Sequence, residues 1–430
     1  MMRTTRLSGA LVVVVVSATL CAGQDIQRLS LKDAEAQAVR NHPAIQAGHY
    51  SALAAGETVR EIRSAYFPAV LGSFTGAQAQ DGTRIAAGGL NNPTILDRFA
   101  YGFSASQMIT DFGRTKDLSA SAMLRADSQQ QDVADRQAIV LLQVDRAYFD
   151  ALRGQAVARV AEQTVAARQL VVDQVSALAS SGLKSALDLS FARVNLSEAQ
   201  LLLVQARNDL LASYAVLSAA IGQPRATGYE LVDEPDLGAP PPDADALIAN
   251  ALRDRPDVAR ERLTQQSQAR FADAERALWF PSVSLIGAAG LTPYRQAGLN
   301  GQYSAVGVNI TIPLTNGNLY SARRAEAGFR ASAEQQSVLD LENRVTRDVR
   351  VAWLAAQTAF ERLGLTDQLL SQASDALDLA QERYNLGLSS IVELTQAQLS
   401  QTRAQIEQAT ARYEYQARAA TLRFQTGALR

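Results

Sequence analysis

Between Val349 and Tyr384, small or apolar side chains recur at alternating steps of three and four. They are Val349, Ala352, Ala356, Ala359, Leu363, Thr366, Leu370, Ala373, Leu377, Ala380 and Tyr384. This is the seam of a left-handed coiled coil, and its small residues predict helices that approach closely. An earlier seam reads Val144, Ala147, Ala151, Gly154, Ala158, Ala161, Val165, Arg168, Val172, Val175 and Ala179, small or apolar except at Arg168. Each seam lies within a long, proline-free helical pattern, one from about Gly113 to Ser180 and one from about Gly317 to Asn385. The first would span on the order of 100 Å as a helix. No ordinary globular core holds such a helix, so the pattern predicts a coiled coil or a helical tunnel.

Each pattern ends at a hairpin tip, and the two tips are copies. Gly182-Leu183-Lys184-Ser185-Ala186-Leu187-Asp188-Leu189 matches Gly387-Leu388-Ser389-Ser390-Ile391-Val392-Glu393-Leu394 at a constant offset of 205. The glycine suits the left-handed backbone that ends a helix. A serine then restarts the chain with an acid three residues on, as in a capping box. The return helices run from Ala186 to Ala220 and from Ile391 to Phe424. His42-Pro43 and Phe67-Pro68 recur as Arg255-Pro256 and Phe280-Pro281 at an offset of 213. The period is about half the chain, so the pattern reads as a duplicated unit and not a solenoid.

Between the short N-terminal helices and the long ones, the period changes to two. Phe99, Tyr101, Phe103 and Ala105 alternate with small residues, as do Val306, Val308, Ile310 and Ile312. Four strands are predicted, at about 69–80, 99–109, 282–291 and 303–312. The expected organisation is a signal segment at 1–23, a first repeat at 24–222 with a helical hairpin over 113–220, a linker at 223–243, and a second repeat at 244–430 with a hairpin over 317–427. The linker reading rests on Pro224, Pro235 and the run Pro240-Pro241-Pro242.

Composition narrows the chemistry. Apolar residues make up 47% and aromatics only 6%, which suits packed alanine-rich helices. The net charge of −2 gives no reason to expect nucleic acid as a partner. Arg3 and Arg6, the apolar run from Leu11 to Val16 and Cys21-Ala22-Gly23 read as a secretory signal. Leu20 stands where a lipobox wants a small residue, so Cys21 is expected to be unlipidated. It is the only cysteine, so the mature chain is expected to have no disulfide. His42 and His49, the only histidines, lack a third ligand for a metal. No catalytic set or phosphate loop stands out, so no enzyme, metal or cofactor is expected.

Four alternating strands of this length resemble membrane-spanning β-strands, yet four cannot close a barrel. Either they form a soluble sheet in a structural coiled-coil envelope protein, or several chains build one barrel. The doubled order of Phe-Pro pairs, Pro313-Leu314 with Gly317, Gly-Leu-x-Ser-x-x-acid-Leu tips and long helices resembles the outer-membrane efflux protein family. The resemblance implies a mainly α fold with a transmembrane β-barrel portion. It also implies a homotrimer in outer-membrane lipid, with a 12-stranded barrel and a helical tunnel crossing the periplasm. The partners implied are a periplasmic adaptor (membrane fusion) protein and an inner-membrane pump or ABC exporter, in tripartite efflux or type I secretion.

For the site, the resemblance implies an acidic periplasmic entrance at Asp188 and Glu393, with Tyr384 beside it. The residues themselves equally permit a purely capping role for the two acids and a packing role for Tyr384. Where the family often has a second acid one turn on, this chain has Gln396. Where it often has an arginine two residues after the tip glycine, this chain has Ser389, so a gate locked by that arginine is not implied. The tips, Ser181, Gly182 and Leu183 with Gly387, Leu388 and Ser389, are the expected adaptor contacts.

Overall fold

The computed structural model describes residues 27–78, 98–224, 228–295 and 300–429. The signal segment at 1–23 lies outside these residues. In chain order, the first half contains β1 (Gln27–Leu29), α1 (Leu31–Asn41), α2 (Pro43–Arg63), β2 (Ala69–Ala77), β3 (Arg98–Thr110), α3 (Arg114–Ser180) and α4 (Ala186–Ala220). The second contains β4 (Tyr229–Leu231), α5 (Ala244–Asp254), α6 (Pro256–Arg276), β5 (Ser282–Arg295), β6 (Gln302–Thr311), α7 (Leu319–Asn385) and α8 (Ile391–Gln425). Helix lengths repeat in step: 11, 21, 67 and 35 residues in each half.

The seams are buried. Val144, Ala151, Ala161, Val349 and Ala356 are wholly enclosed, and Ala373, Ala380 and Tyr384 are buried toward the far end. Alanine buries little area per residue, so the hairpins gain stability from length and close approach rather than from bulk. Arg168 is the exception in its seam and is also buried. Desolvation holds its pKa below the usual arginine value, against the opposing effect of Glu198.

Polar pairs bind the second half to the first. α6 runs antiparallel to α3, and the two exchange hydrogen bonds. Ser121 Oγ donates to Ser267 O at 2.9 Å, and Ser267 Oγ returns one to Ser121 O at 2.9 Å. Ser128 Oγ lies 2.9 Å from Thr264 Oγ1. Arg260 bridges Asp132 at 2.9 Å and Asp135 at 3.2 Å.

The larger sheet has strand order β2-β3-β5-β6, all antiparallel. Its central pair, β3 with β5, joins the two repeats, with Phe103 opposite Ala289. The register puts Val70, Phe74, Tyr101, Phe103, Leu285, Val306, Val308 and Ile310 on one face. The opposite face carries Ser73, Thr75, Ser104, Ser106, Ser284, Asn309 and Thr311. Thus one face is mainly apolar and the other mainly small and polar, although Leu71, Ile286 and Tyr303 also lie on the second face and Gln107 and Gln302 on the first. Among the described residues, β2 and β6 each pair on one side only.

Observed strand ends differ from those expected from alternation. β5 runs on to Arg295 and β3 to Thr110, because pairing continues through two register irregularities. One of these lies opposite Thr292-Pro293, where proline has no N–H to give a regular ladder. β2 ends at Ala77, and residues 79 and 80 of the expected strand lie outside the described residues.

The segment read as a plain linker is built into the body. β4 pairs in parallel with β1, Leu29 opposite Leu231. The buried Tyr148 hydroxyl lies 2.9 Å from Leu29 O and 2.7 Å from Val232 O, holding both strands against α3. Beyond β4, Arg412 grips Asp233 and Asp236, each at 2.9 Å, and Trp353 Nε1 donates to Pro241 O at 2.7 Å. The segment therefore straps α7 to α8. Leu29 ends β1, and Ser30 caps α1, accepting from Asp33 N at 3.2 Å.

Candidate functional site

Both tips are built alike. At the end of α3, Leu183 N donates to Leu178 O at 2.9 Å and Gly182 N to Ala179 O at 3.1 Å. At the end of α7, Leu388 N donates to Arg383 O at 2.8 Å and Gly387 N to Tyr384 O at 3.1 Å. These are Schellman turns, and they require the positive φ seen at Gly182 (+76°) and Gly387 (+73°). Ser181, Gly182, Leu183, Gly387 and Leu388 are exposed, while Ser389 is half-buried. Leu183 and Leu388 are 71% and 67% exposed, so each turn presents a leucine to its surroundings.

The tips are joined by a small apolar core. Tyr384 of α7 packs in one cluster with Val175 of α3, Ala192 of α4, and Ile391 and Leu394 of α8. Asn195 Nδ2 donates to Thr395 Oγ1 at 2.9 Å, tying α4 to α8. The Tyr384 ring is thus a packing residue in this chain. Its hydroxyl is buried with no hydrogen-bond partner among the described residues. Burial raises its pKa, and the charge of Asp188 raises it further.

The two acids differ. Asp188 completes a capping box: its N donates to Ser185 Oγ at 3.1 Å, and its Oδ2 accepts from Ser185 N at 3.1 Å. Glu393 keeps only half of one. Its N donates to Ser390 Oγ at 3.3 Å, but its carboxylate turns to Arg383 Nε at 3.2 Å. Lys184 lies over the Tyr384 ring, its Nζ 4.1 Å from the centroid. Two cations, Lys184 and Arg383, therefore accompany the two predicted acids. Neither was singled out from the sequence. Lys184 sits inside the duplicated tip motif opposite Ser389, and that mismatch between copies was the available signal.

The asymmetry has a measurable consequence. Asp188→Ala removes the carboxylate arm of the capping box, leaving the Asp188 N–H on Ser185 Oγ, and should lower helix-end stability by roughly 0.5–1 kcal/mol. Glu393→Ala removes an exposed ion pair and should cost only a few tenths of that. Thermal melts of the two variants check this; equal losses would mean that the two caps carry equal weight.

Elsewhere, His42 is used as a cap, its Nδ1 accepting from Ala44 N at 3.2 Å. Among the described residues no group of three metal-binding side chains occurs, and no helix is long and apolar enough to cross a membrane.

The fold is thus a pair of helical hairpins rooted in a two-faced sheet, each half a copy of the other. The chain belongs to the outer membrane efflux protein family, whose pattern matches residues 36–223 and 247–428. It is 22% identical over 399 residues to the outer membrane efflux protein BepC of Brucella suis, covering 90% of this chain and 82% of that one. To the outer membrane protein OprJ of Pseudomonas aeruginosa it is 25% identical over 374 residues, 81% and 73% of the two chains. The crystal structure of the outer membrane protein VceC of Vibrio cholerae superposes with a TM-score of 0.78 at 17% identity, covering 92% of this chain and 96% of that one. The chain is thus an outer-membrane channel component of an efflux system. This assignment sets aside the alternative of a structural envelope protein with a soluble sheet.

Proposed function

We propose that three copies assemble into a passive exit duct, with the four-stranded sheets closing one barrel and the hairpins forming a tunnel into the periplasm. The observation that carries the reading is the sheet. It exposes Phe74, Phe103, Val306, Val308 and Ile310 on one face and, among the described residues, leaves both edge strands unpaired on their outer sides. Open edges are not tolerated in lipid, and closure with neighbouring copies removes them. Exposed apolar residues along α4, namely Leu201, Val204 and Leu211, point the same way, since burial needs a neighbour.

In this assembly the tips form the periplasmic entrance. Leu183 and Leu388 with the adjoining turn residues suit contact with a periplasmic adaptor, which would couple the duct to an inner-membrane pump or ABC exporter. Asp188 and Glu393 set the entrance charge, opposed by Lys184 and Arg383. Carboxylates at a narrow aperture concentrate cations and repel anions.

Native mass spectrometry in detergent should give a trimer, and planar bilayers should show channels. In Asp188→Asn/Glu393→Gln, Lys184 and Arg383 are left uncompensated, so the reversal potential should move toward anion preference. A stable monomer with no conductance would sink the assembly. An unmoved reversal potential would leave the assembly standing and remove the acids from the entrance.

A further inference from the structure

Asp145 is fully enclosed on α3, one turn before the Tyr148 clasp. It is an acid inside the region where the start of the first repeat meets the end of the second. The groups facing it come from three segments. Arg423 of α8 places Nη2 3.2 Å from Asp145 Oδ2. Glu35 of α1 lies in side-chain contact with Asp145, and Glu234 from the strap adds a second negative charge. The neighbouring Arg146 turns away to Thr421 Oγ1, at 3.1 Å.

The hydrogen bonds do not close if both carboxyls are ionised. Asp145 Oδ1 is buried and has no donor within reach among the described residues. An ionised, unpartnered carboxylate oxygen in such a site is strongly disfavoured. A single proton solves the problem: Asp145 can accept from Arg423 on one oxygen and donate to Glu35 from the other.

We propose that Asp145 holds a buried proton and donates it in a hydrogen bond to Glu35, forming a proton-held clasp that fastens α1 to α3 and α8 midway along the molecule. Charge and burial agree with this. Desolvation, then the hydrogen bond and charge of Glu35, push the Asp145 carboxyl up to about 8 from 3.8, with Arg423 opposing. A carboxyl raised by folding contributes stability that is fully present below its unfolded pKa and is lost as pH rises through the folded value. The clasp is therefore closed at low and neutral pH and weakens as pH climbs through about 8.

Two variants of the full chain in detergent test it. Asp145→Asn mimics the protonated acid and cannot release a proton. Glu35→Gln removes the like charge while keeping an acceptor for the Asp145 proton. The parent should lose thermal stability relative to Asp145→Asn as pH rises from 5 to about 8, with no further relative loss above. In Glu35→Gln the midpoint of that loss should move to lower pH. Infrared difference spectra of the parent across pH 8 should show the loss of a protonated-carboxyl C=O band that Asp145→Asn lacks. Parallel pH profiles for the parent and Asp145→Asn would overturn the proposal. So would the same carboxyl band in both proteins. If Asp145→Asn fails to fold, the midpoint shift in Glu35→Gln and the band in the parent still decide.

Discussion

Val308→Arg is expected to block assembly in the outer membrane. Val308 lies within β6, 63% exposed, opposite Leu285 on the apolar face. An arginine facing lipid near the midplane costs about 2–4 kcal/mol, and every copy in the proposed barrel would bear it. Its neighbour Asn309 points to the other face, opposite Ser284. Asn309→Arg should therefore assemble nearly as well as the parent, since strands alternate at a period of two. Heat-modifiable migration on gels and membrane fractionation read both. The reverse result, with Asn309→Arg lost and Val308→Arg assembled, would invert the face assignment.

The second large effect is expected at a tip. Gly387 has φ +73° and donates its N–H to Tyr384 O at 3.1 Å. Proline can supply neither, because its φ is held near −65° and it has no N–H. Gly387→Pro must remodel the turn that carries Leu386, Leu388 and Ser389. The sheet and all but the last turn of the seam lie far from this change, so the assembly should persist while export falls to background. A bulky Gly182 substitution is the gentler test. A Cβ there meets nothing within 4 Å, so the penalty is backbone strain alone, of order 1–2 kcal/mol. It should impair export less than Gly387→Pro. Loss of the proposed trimer in step with export would make the tips folding elements and not docking elements.

Much of this molecule is legible in local periodicity. The seam from Val349 to Tyr384 marks buried positions because a helix repeats its face every three to four residues. The Gly-Leu-x-Ser tips mark their own turns, since only a left-handed glycine followed by a capping serine closes such a hairpin compactly. The alternation at Val306, Val308 and Ile310 also shows two faces. It does not show which strand lies alongside.

The candidate site was legible only in part. Asp188 and Glu393 occupy matching positions, so the sequence presents them as equivalents. The structure separates them: Asp188 bonds Ser185, and Glu393 swings to Arg383. Lys184 over Tyr384 joins residues 200 positions apart, and no spacing rule brings them together.

By itself the sequence determined the elements, their duplication, the close-packed seams and the turns, because each depends on residues within a few positions of one another. Only the tertiary structure decided that β3 pairs with β5 across the two repeats, that β4 joins β1, that the proline-rich segment straps α7 to α8, and that the enclosed Asp145 meets Glu35 and Arg423. Those contacts bring together segments that are mostly far apart in the chain. They are selected by the need to satisfy buried polar groups and cover apolar faces at once, a condition set by the whole fold and written in no single stretch.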